Sequence, residues 1–278
     1  MNSTNYLNSL FNLTGKIALV TGGGTGIGLI IAEALATAGA RVVIVSRKKL
    51  SLEKAIAHIS SKSPEGSVEG FTGDLSSEIG INNLVDEFQN RSLQLNILVN
   101  NAGVSWGADL TTFPYDAWDR VFSVNVSGLF YLSQKLLTNL EAAASSKNPS
   151  KIINIGSVMG TEPYGDGAYS YSASKASVHH LTKILAKELA KKHVTVNAFA
   201  PGPFESKMTS FATNTKAKRE AVAMGIPLRR IGIPIDIAAS TLWLCGPGGN
   251  YITGAIIPID GGIHISTGPE LFSGSKKL

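Results

Sequence analysis

The sequence TGGGTGIG, residues 21–28, follows an apolar run at residues 17–20 and precedes an alanine-rich helical pattern at residues 26–38. This order predicts a strand, a glycine turn and the start of a helix. Glycine lets a ligand approach the backbone closely, and the free N–H groups at a helix N-terminus attract anions. The spacing of Gly22, Gly26 and Gly28 departs from the common dinucleotide pattern G-x-G-x-x-G. The turn predicts a pyrophosphate site, although a glycine turn that binds nothing also fits at this point.

The alternation of strand and helix continues along the chain. The predicted strands are residues 17–20, 42–45, 68–72, 97–100, 151–155, 194–199 and 255–259, and the predicted helices are residues 26–38, 50–61, 79–90, 116–140, 171–191 and 235–244. β-Branched runs such as 42–45 are typical of strands buried on both faces, and intervening helices imply parallel crossovers. We predict a single-domain α/β fold at residues 13–265, a Rossmann-type doubly wound sheet of seven parallel strands with helices on both faces. An N-terminal arm (1–12) precedes it and a C-terminal tail (266–278) follows it.

The connection at residues 203–233 is unusually long. It follows the carboxyl end of a predicted strand, where open α/β sheets bind ligands, and connections of this length are usually lids or disordered. Its apolar side chains Phe204, Met208, Phe211 and Met224 are not needed by the predicted core. We expect a substrate lid.

The composition excludes several classes of protein. The 278 residues carry a formal net charge of +5 without a long basic run, so we expect anionic small ligands and no nucleic acid. No apolar stretch reaches the roughly 18 residues of a membrane span. The single cysteine, Cys245, excludes an intrachain disulfide and suits a cytoplasmic location, while the final Lys276-Lys277-Leu278 approximates the peroxisomal Ser-Lys-Leu signal and leaves that location open. His179 and His180 are adjacent and face different sides of a helix, so we expect no metal site.

Tyr171 and Lys175 are four residues apart in a predicted helix, so their side chains share one face with about 5–6 Å between Cβ atoms. A positive charge about 4 Å from a phenolate is worth about 4 kcal/mol at an effective dielectric constant near 20. The pair therefore predicts a tyrosine whose pKa lies below its usual value of about 10, and which acts as a general acid or base. The same spacing is common on exposed helix faces, so the pair alone leaves both interpretations open.

Several motifs, in order along residues 13–263, resemble the short-chain dehydrogenase/reductase family. Residues 21–28 resemble its cofactor turn, the Asn-Asn-Ala-Gly sequence at residues 100–103 resembles its motif after the fourth strand, and Pro201-Gly202 ends the sixth strand as in the family. The resemblance places the catalytic residues at Asn125, Ser157, Tyr171 and Lys175. It implies an NADP- or NAD-dependent enzyme that interconverts a carbonyl and a secondary alcohol.

The resemblance also implies a role for each catalytic residue. In the reduction direction, Tyr171 gives a proton to the oxygen of a carbonyl that receives a hydride from the nicotinamide. Lys175 favours the phenolate and holds the nicotinamide ribose, and Ser157 hydrogen-bonds the substrate oxygen. Asn125 holds a water that relays protons to Lys175. Tyr169 has no lysine four residues later, so we expect it only in the pocket wall.

The end of the second predicted strand indicates the cofactor. NAD needs a carboxylate there for the ribose 2′-hydroxyl, whereas a 2′-phosphate favours an arginine. The strand ends in Ser46, Arg47 and Lys48 without a carboxylate, which predicts NADP(H). Asp74 resembles the family's adenine contact, although a helix N-cap remains open for it. The expected cofactor-binding residues are Gly22, Gly24, Thr25, Gly26, Ile27, Gly28, Ser46, Arg47, Lys48, Asp74, Leu75, Asn101, Ala102, Gly103, Tyr171, Lys175, Pro201, Gly202, Phe204 and Ser206.

Within the family, three stretches most resemble NADPH-dependent 3-oxoacyl-carrier-protein reductases, in particular the rhamnolipid-synthesis type. These stretches are residues 101–108, 196–204 and 256–262. The resemblance implies a 3-oxoacyl thioester of carrier protein or CoA as substrate. A secondary-alcohol, polyol or sugar dehydrogenase and a free ketone substrate remain open, as does, more remotely, an NADP-binding regulator without catalysis.

One residue departs from the housekeeping reductases. Tyr131 stands where they tend to place a basic residue, which puts the docking of an acidic carrier protein in doubt, although Lys187 keeps positive charge on the later helix. The resemblance further implies a homotetramer, with the helices at residues 116–140 and 171–191 in one interface and the last strand in another.

Overall fold

The computed structural model describes residues 3–64, 67–92, 94–164, 167–206 and 208–266. The predicted tail at residues 266–278 lies outside the described residues except for Ser266. None of the helices in the described part of the chain has the length and hydropathy of a membrane span.

One parallel sheet of seven strands organises the fold, which confirms the predicted doubly wound class. The strands lie side by side in the order β3-β2-β1-β4-β5-β6-β7, so the direction of the winding reverses between β1 and β4. Ligands of such sheets bind outside the carboxyl ends of the strands at this reversal. The strands are β1 (Ile17–Thr21), β2 (Arg41–Ser46), β3 (Val68–Thr72), β4 (Ile97–Asn100), β5 (Ser150–Ile155), β6 (Val194–Pro201) and β7 (Ile256–Ile259).

Helices cover both faces of the sheet, and each face has its own apolar core. Successive residues of a strand point to opposite faces, so Ala18 and Val20 of β1 join one core while Leu19 joins the other. The first core includes side chains of α2 (Gly26–Thr37), α3 (Lys49–Ser60) and α11 (Pro234–Cys245). The second includes side chains of α4 (Glu78–Gln89), α6 (Leu129–Lys135), α7 (Leu137–Ala143) and α8 (Tyr169–Leu189).

A third, smaller apolar group lies apart from these cores, and we call it the lid cluster. Its buried members are Val158, Ile226 and Ile263, and Met159, Val222 and Ile231 pack against them. The segment predicted as a lid contains two helices, α9 (Ser210–Thr213) and α10 (Lys216–Met224). The cluster therefore joins the lid to the segments that follow β5 and β7.

Two elements differ from the sequence-based expectation. The arm at residues 1–12 contains a helix, α1 (Ser3–Phe11), whose Leu10 carbonyl lies against Gly246 at the end of α11. The helix expected at residues 116–140 consists of α5 (Asp116–Phe122), a π-helical turn (Ser123–Gly128), α6 and α7. Local sequence carries no signal for either feature, because tertiary contacts decide both.

The single cysteine lies at the end of α11 and is buried. Burial raises the pKa of the Cys245 thiol to about 12. The thiol is therefore un-ionised and enclosed in the apolar core, as expected of an inert structural cysteine.

Candidate active site

A cavity of about 1080 Å³ opens at the carboxyl ends of the strands. Its wall includes Gly22 after β1, Arg47 after β2, Asp74 after β3, Asn101 after β4 and Ser157 after β5. Pockets that hold one drug-sized ligand reach about 1,000 Å³. The volume of this cavity is therefore at the upper end of the range for ligand pockets, which suits a ligand as large as a dinucleotide.

The glycine turn forms one wall of this cavity. Gly22 (φ 66°) and Gly26 (φ 58°) have backbone conformations that favour glycine. Thr25, the N-cap of α2, makes no side-chain bond to the helix, so the first N–H groups of α2 are available to an anion. A Cβ atom on Gly28 would lie 2.3 Å from Nδ2 of Asn101, so this glycine serves close packing.

The end of β2 supplies the positive charge that the sequence predicts there. Ser46, Arg47 and Lys48 all line the cavity. Gly24 does not line it, and a Cβ atom at this position would lie 3.1 Å from Oγ of Ser46. Gly24 and Gly28 therefore support the cavity wall but do not line the cavity. All the other residues expected to bind the cofactor do line it.

The segment after β3 answers the question left open for Asp74. The N-cap of α4 is Ser77, whose Oγ accepts a hydrogen bond from the Gly80 N–H at 3.2 Å. Oδ1 of Asp74 instead accepts a hydrogen bond from the Ser76 N–H at 3.0 Å. Because Ser77 is the helix cap, neither Asp74 nor Ser76 has that role. Asp74 and Leu75 line the cavity instead.

The Asn-Ala-Gly segment after β4 is fixed to the start of the glycine turn. Oγ1 of Thr21 accepts hydrogen bonds from the N–H groups of Asn101 (3.1 Å) and Ala102 (3.0 Å). Nδ2 of Asn101 donates to the Thr21 carbonyl at 2.9 Å. Asn101, Ala102 and Gly103 consequently line the middle of the cavity as a rigid wall.

The three expected reactive side chains meet in this cavity. Ser157 follows β5, while Tyr171 and Lys175 lie in the first turns of α8, and all three line the cavity. The Ser157 side chain lies close enough to Tyr171 to lower the pKa of its phenol, which burial raises. Nζ of Lys175 donates to the Ile155 carbonyl at 2.7 Å and lies 5.6 Å from the centroid of the Tyr171 ring.

The expectation that Lys175 lowers the pKa of Tyr171 is wrong for this structure. Burial raises the pKa of Tyr171, and the Ser157 side chain opposes this rise only in part. Burial also lowers the pKa of Lys175 to about 8. The ammonium group points to the Ile155 carbonyl, so desolvation of the phenolate dominates. At neutral pH the phenol is protonated and the lysine is charged.

Asn125 lies in the π-helical turn and does not line the cavity. Its Nδ2 donates to the Val104 carbonyl (2.9 Å) and to Oγ of Ser174 (3.0 Å), and its Oδ1 accepts from the Val104 N–H (2.9 Å). A Cβ atom on Gly103 would lie 3.3 Å from Oδ1 of Asn125 and 3.7 Å from Nζ of Lys175. Asn125 thus ties the segment after β4 to α8 beside Lys175, and its water-holding role remains a prediction.

The start of the segment predicted as a lid lines the cavity near the glycine turn. Pro201, Gly202, Phe204 and Ser206 line it as expected, and the Cβ atom of Ser206 would lie 3.6 Å from a Cβ atom on Gly26. This distance places the lid next to the glycine turn.

Two apolar lid residues differ from the expectation. Phe204 is only 4% exposed and belongs to the first core, because it lies beside Gly232 in an isolated parallel bridge. Met224 is 66% exposed and does not line the cavity, whereas Met208 and Phe211 do line it. Of the four apolar residues named from the sequence, Phe204, Met208 and Phe211 therefore line the cavity and Met224 does not.

His179, for which the sequence predicts no part in a metal site, contacts the backbone of Ser157, one of the expected catalytic residues. It lies one turn beyond Lys175, is 5% exposed, and its Nε2 accepts a hydrogen bond from the Ser157 N–H at 3.4 Å. Burial first, and then the charges of Lys175 and Lys183, lower its pKa to about 4. The spacing Tyr171, Lys175, His179 was the available signal, since residues four apart share one helix face.

Tyr169 is not part of the cavity wall. Its ring packs edge-on against Phe113 with 5.3 Å between centroids. The wall also includes Val104 and Trp106, which lie in the 101–108 stretch that resembles the carrier-protein reductases, and Tyr164 and Ile263, which no sequence pattern predicts there. Among the described residues, no group of three or more His, Cys, Asp or Glu side chains is placed to hold a metal.

Comparisons with known proteins cover most of the chain. The sequence model of the family described as short chain dehydrogenase matches residues 16–217. The chain is 45% identical over 255 residues to a rhamnolipids biosynthesis 3-oxoacyl-[acyl-carrier-protein] reductase of Pseudomonas aeruginosa, covering 92% of this chain and 98% of that protein. It is 35% identical to a galactitol 2-dehydrogenase (L-tagatose-forming) of Cereibacter sphaeroides, covering 92% and 98% of the two chains. The solved structure of a Pseudomonas aeruginosa RhlG/NADP active-site complex superposes with a TM-score of 0.88 at 44% identity, covering 92% of this chain and 99% of that chain.

Proposed function

We infer that this chain, which belongs to the short chain dehydrogenase family, is an NADP(H)-dependent oxidoreductase that reduces the 3-oxo group of an acyl thioester to a secondary alcohol. One observation carries the proposal: Ser157, Tyr171 and Lys175 converge on the cavity that the glycine turn and Arg47 also line. This arrangement provides an acid, a cation and an oxygen-binding hydroxyl beside an anion site.

The residues present fit NADP(H). The N–H groups at the start of α2, after Gly26, suit a pyrophosphate, and Arg47 and Lys48 suit a 2′-phosphate, which is dianionic. The one carboxylate among the described lining residues, Asp74, follows β3 rather than β2. When bound, NADPH supplies the hydride.

Tyr171 is the proton donor to the substrate oxygen. Because burial raises its pKa, the phenol holds its proton at neutral pH and gives it up only as negative charge develops on that oxygen. The Ser157 hydroxyl donates a hydrogen bond to the same oxygen and fixes its position beside the phenol. The Lys175 ammonium stabilises the phenolate that remains after proton transfer.

A polyol or sugar dehydrogenase is the second candidate, because the galactitol 2-dehydrogenase is also a relative. The same catalytic residues would serve it. Among the described lining residues, the charged side chains are Arg47, Lys48, Asp74 and Lys175, which all belong to the cofactor or catalytic region. The rest of the cavity is mainly apolar, which favours an acyl chain over a polyol.

We also propose that the thioester is presented by a carrier protein or CoA and that the protein works in the cytoplasm as a homotetramer. Two observations support a carrier. A basic residue, Lys135, lies with its Nζ 4.9 Å from the centroid of the Tyr131 ring, and Lys187 is exposed on α8. Positive charge is therefore present near Tyr131, the residue that replaces the basic side chain of the housekeeping carrier-protein reductases.

The test measures NADPH consumption with a 3-oxoacyl thioester. We expect turnover by the wild type, a loss of at least about a thousandfold in Tyr171→Phe from removal of the acid, and near wild-type turnover in the control Tyr169→Phe. Arg47→Asp should reduce the preference for NADPH over NADH by at least tenfold, because it replaces the phosphate partner with a carboxylate. If the wild type binds NADPH and reduces polyol-derived ketones but no thioester, the second candidate replaces the first.

A further inference from the structure

We propose that the lid cluster is the floor of an acyl-chain site and sets the length of chain that the enzyme reduces; this inference rests on the proposed function. Val158, Met159, Val222, Ile226 and Ile263 belong to the lid cluster and also line the cavity. The floor is therefore made by three separate segments, which follow β5, β6 and β7.

The sheet order places this floor at one end of the cavity. Arg47 and Asp74 follow β2 and β3 on one side of the reversal between β1 and β4. The lid cluster follows β5, β6 and β7 on the other side. Ser157 and Tyr171 lie between the two regions, so a substrate whose carbonyl meets them directs its remaining atoms away from the cofactor phosphates and toward the lid cluster.

The chemistry of the floor selects an alkyl chain. Val158, Ile226 and Ile263 are 6%, 3% and 7% exposed, so the floor consists of aliphatic side chains that are almost fully enclosed by their neighbours. An aliphatic floor offers no hydrogen bond to a hydroxyl group, which makes binding a polyol there unfavourable. A methylene group buried against it is worth roughly a fourfold gain in affinity.

Tyr164 fixes the outer edge of this floor. Its ring lines the cavity, and its hydroxyl lies 3.3 Å from the Ile263 carbonyl and 3.2 Å from the Ser266 carbonyl. The segment after the catalytic serine is thereby tied to the segment after β7. The floor does not recede freely as a chain lengthens, so its depth imposes a limit.

Ile231 provides a matched control. It packs against the same cluster but does not line the cavity. Ile231→Ala and Ile226→Ala therefore remove equal volumes from the same apolar group, and only Ile226→Ala deepens the cavity.

The experiment measures kcat/KM with NADPH for N-acetylcysteamine thioesters of straight-chain 3-oxo acids from four to twelve carbons. In the wild type, kcat/KM should rise by roughly fourfold per methylene and then level off or fall at the limiting length. Ile226→Ala should move this limit one or two carbons longer, whereas Ile231→Ala should leave it in place. Ile226→Val, a milder change, should move it in the same direction if Ile226→Ala does not fold.

The outcomes separate the two proposals. The proposal that the lid cluster sets the chain length is wrong if the wild type, Ile226→Ala and Ile226→Val all reduce thioesters up to the same limiting length. It is also wrong if Ile231→Ala shifts the limiting length as much as Ile226→Ala does. No turnover of any thioester by a wild type that binds NADPH means that the proposed function itself is wrong. Activity on the four-carbon substrate in each variant verifies that the catalytic residues are intact.

Discussion

At the scale of single residues, the ionisation of Lys175 sets a pH limit on reduction. Burial lowers its pKa to about 8, so its charge is lost as pH rises through that value. The uncharged amine no longer stabilises the Tyr171 phenolate. We expect kcat for reduction to be constant below about pH 7.5 and to fall up to tenfold per unit above about pH 8.5.

The measurement is a profile of kcat against pH at saturating NADPH and substrate. Lys175→Arg keeps its charge at much higher pH, so its profile, at a lower absolute rate, should be flat through this range. A fall at the same pH in both proteins would assign the titration to another group.

His179 is the second residue whose contribution can be isolated. Its neutral ring accepts the Ser157 N–H, and His179→Leu would leave that buried donor without a partner at a cost of about 1–3 kcal/mol. We expect about tenfold lower kcat in His179→Leu with unchanged NADPH affinity, and partial recovery in His179→Gln, whose amide oxygen accepts the same hydrogen bond. His180→Leu, an exposed neighbour, should behave as the wild type. Equal losses in His179→Gln and His179→Leu would contradict the positioning role.

At the scale of elements, the π-helical turn at Ser123–Gly128 places Asn125 between the segment after β4 and α8. Asn125→Leu removes three hydrogen bonds and leaves both backbone groups of Val104 unpaired, which should lower the free energy of unfolding by about 2–4 kcal/mol and reduce kcat. Chemical denaturation and steady-state kinetics check this expectation. Ser127→Ala alters an exposed residue of the same turn and should change neither quantity. Similar losses in the two variants would show that the turn is merely sensitive to substitution.

A comparison of the strands and helices with the sequence patterns shows which parts of the structure could be predicted. The strands and the residues at their carboxyl ends were predictable, because buried β-branched runs and glycine turns are local patterns; Arg47 and Ser157 follow from these. The π-helical turn was missed because its sequence, SVNVSG, contains no signal for an i→i+5 hydrogen bond. The burial of Phe204 in the core and the exposure of Met224 could not be predicted, because burial depends on the segment that packs against each residue. The raised pKa of Tyr171 was missed for the same reason, since spacing reveals neighbouring charges but not desolvation.

At the scale of the whole molecule, several large apolar residues are exposed, and we expect copies of the chain to meet at these residues. Phe130 on α6 and Ile184 on α8 are 38% and 46% exposed, and Trp243 and Tyr251, which precede β7, are 42% and 103% exposed. We expect a tetramer by light scattering coupled to gel filtration. Ile184→Glu should convert it to dimers, because a buried unpaired carboxylate destabilises an apolar contact. A wild-type monomer, or a variant that stays tetrameric, would contradict this assignment.

Because the Cys245 thiol is buried and burial raises its pKa to about 12, we expect it to resist alkylating dyes in the native protein. A cysteine introduced at Met224, which is exposed on α10, would then be the sole labelling site in the chain. A single fluorophore placed there would report any change in the surroundings of α10 when NADPH or a thioester is added, and stopped-flow spectroscopy could follow that signal without labelling of a second side chain.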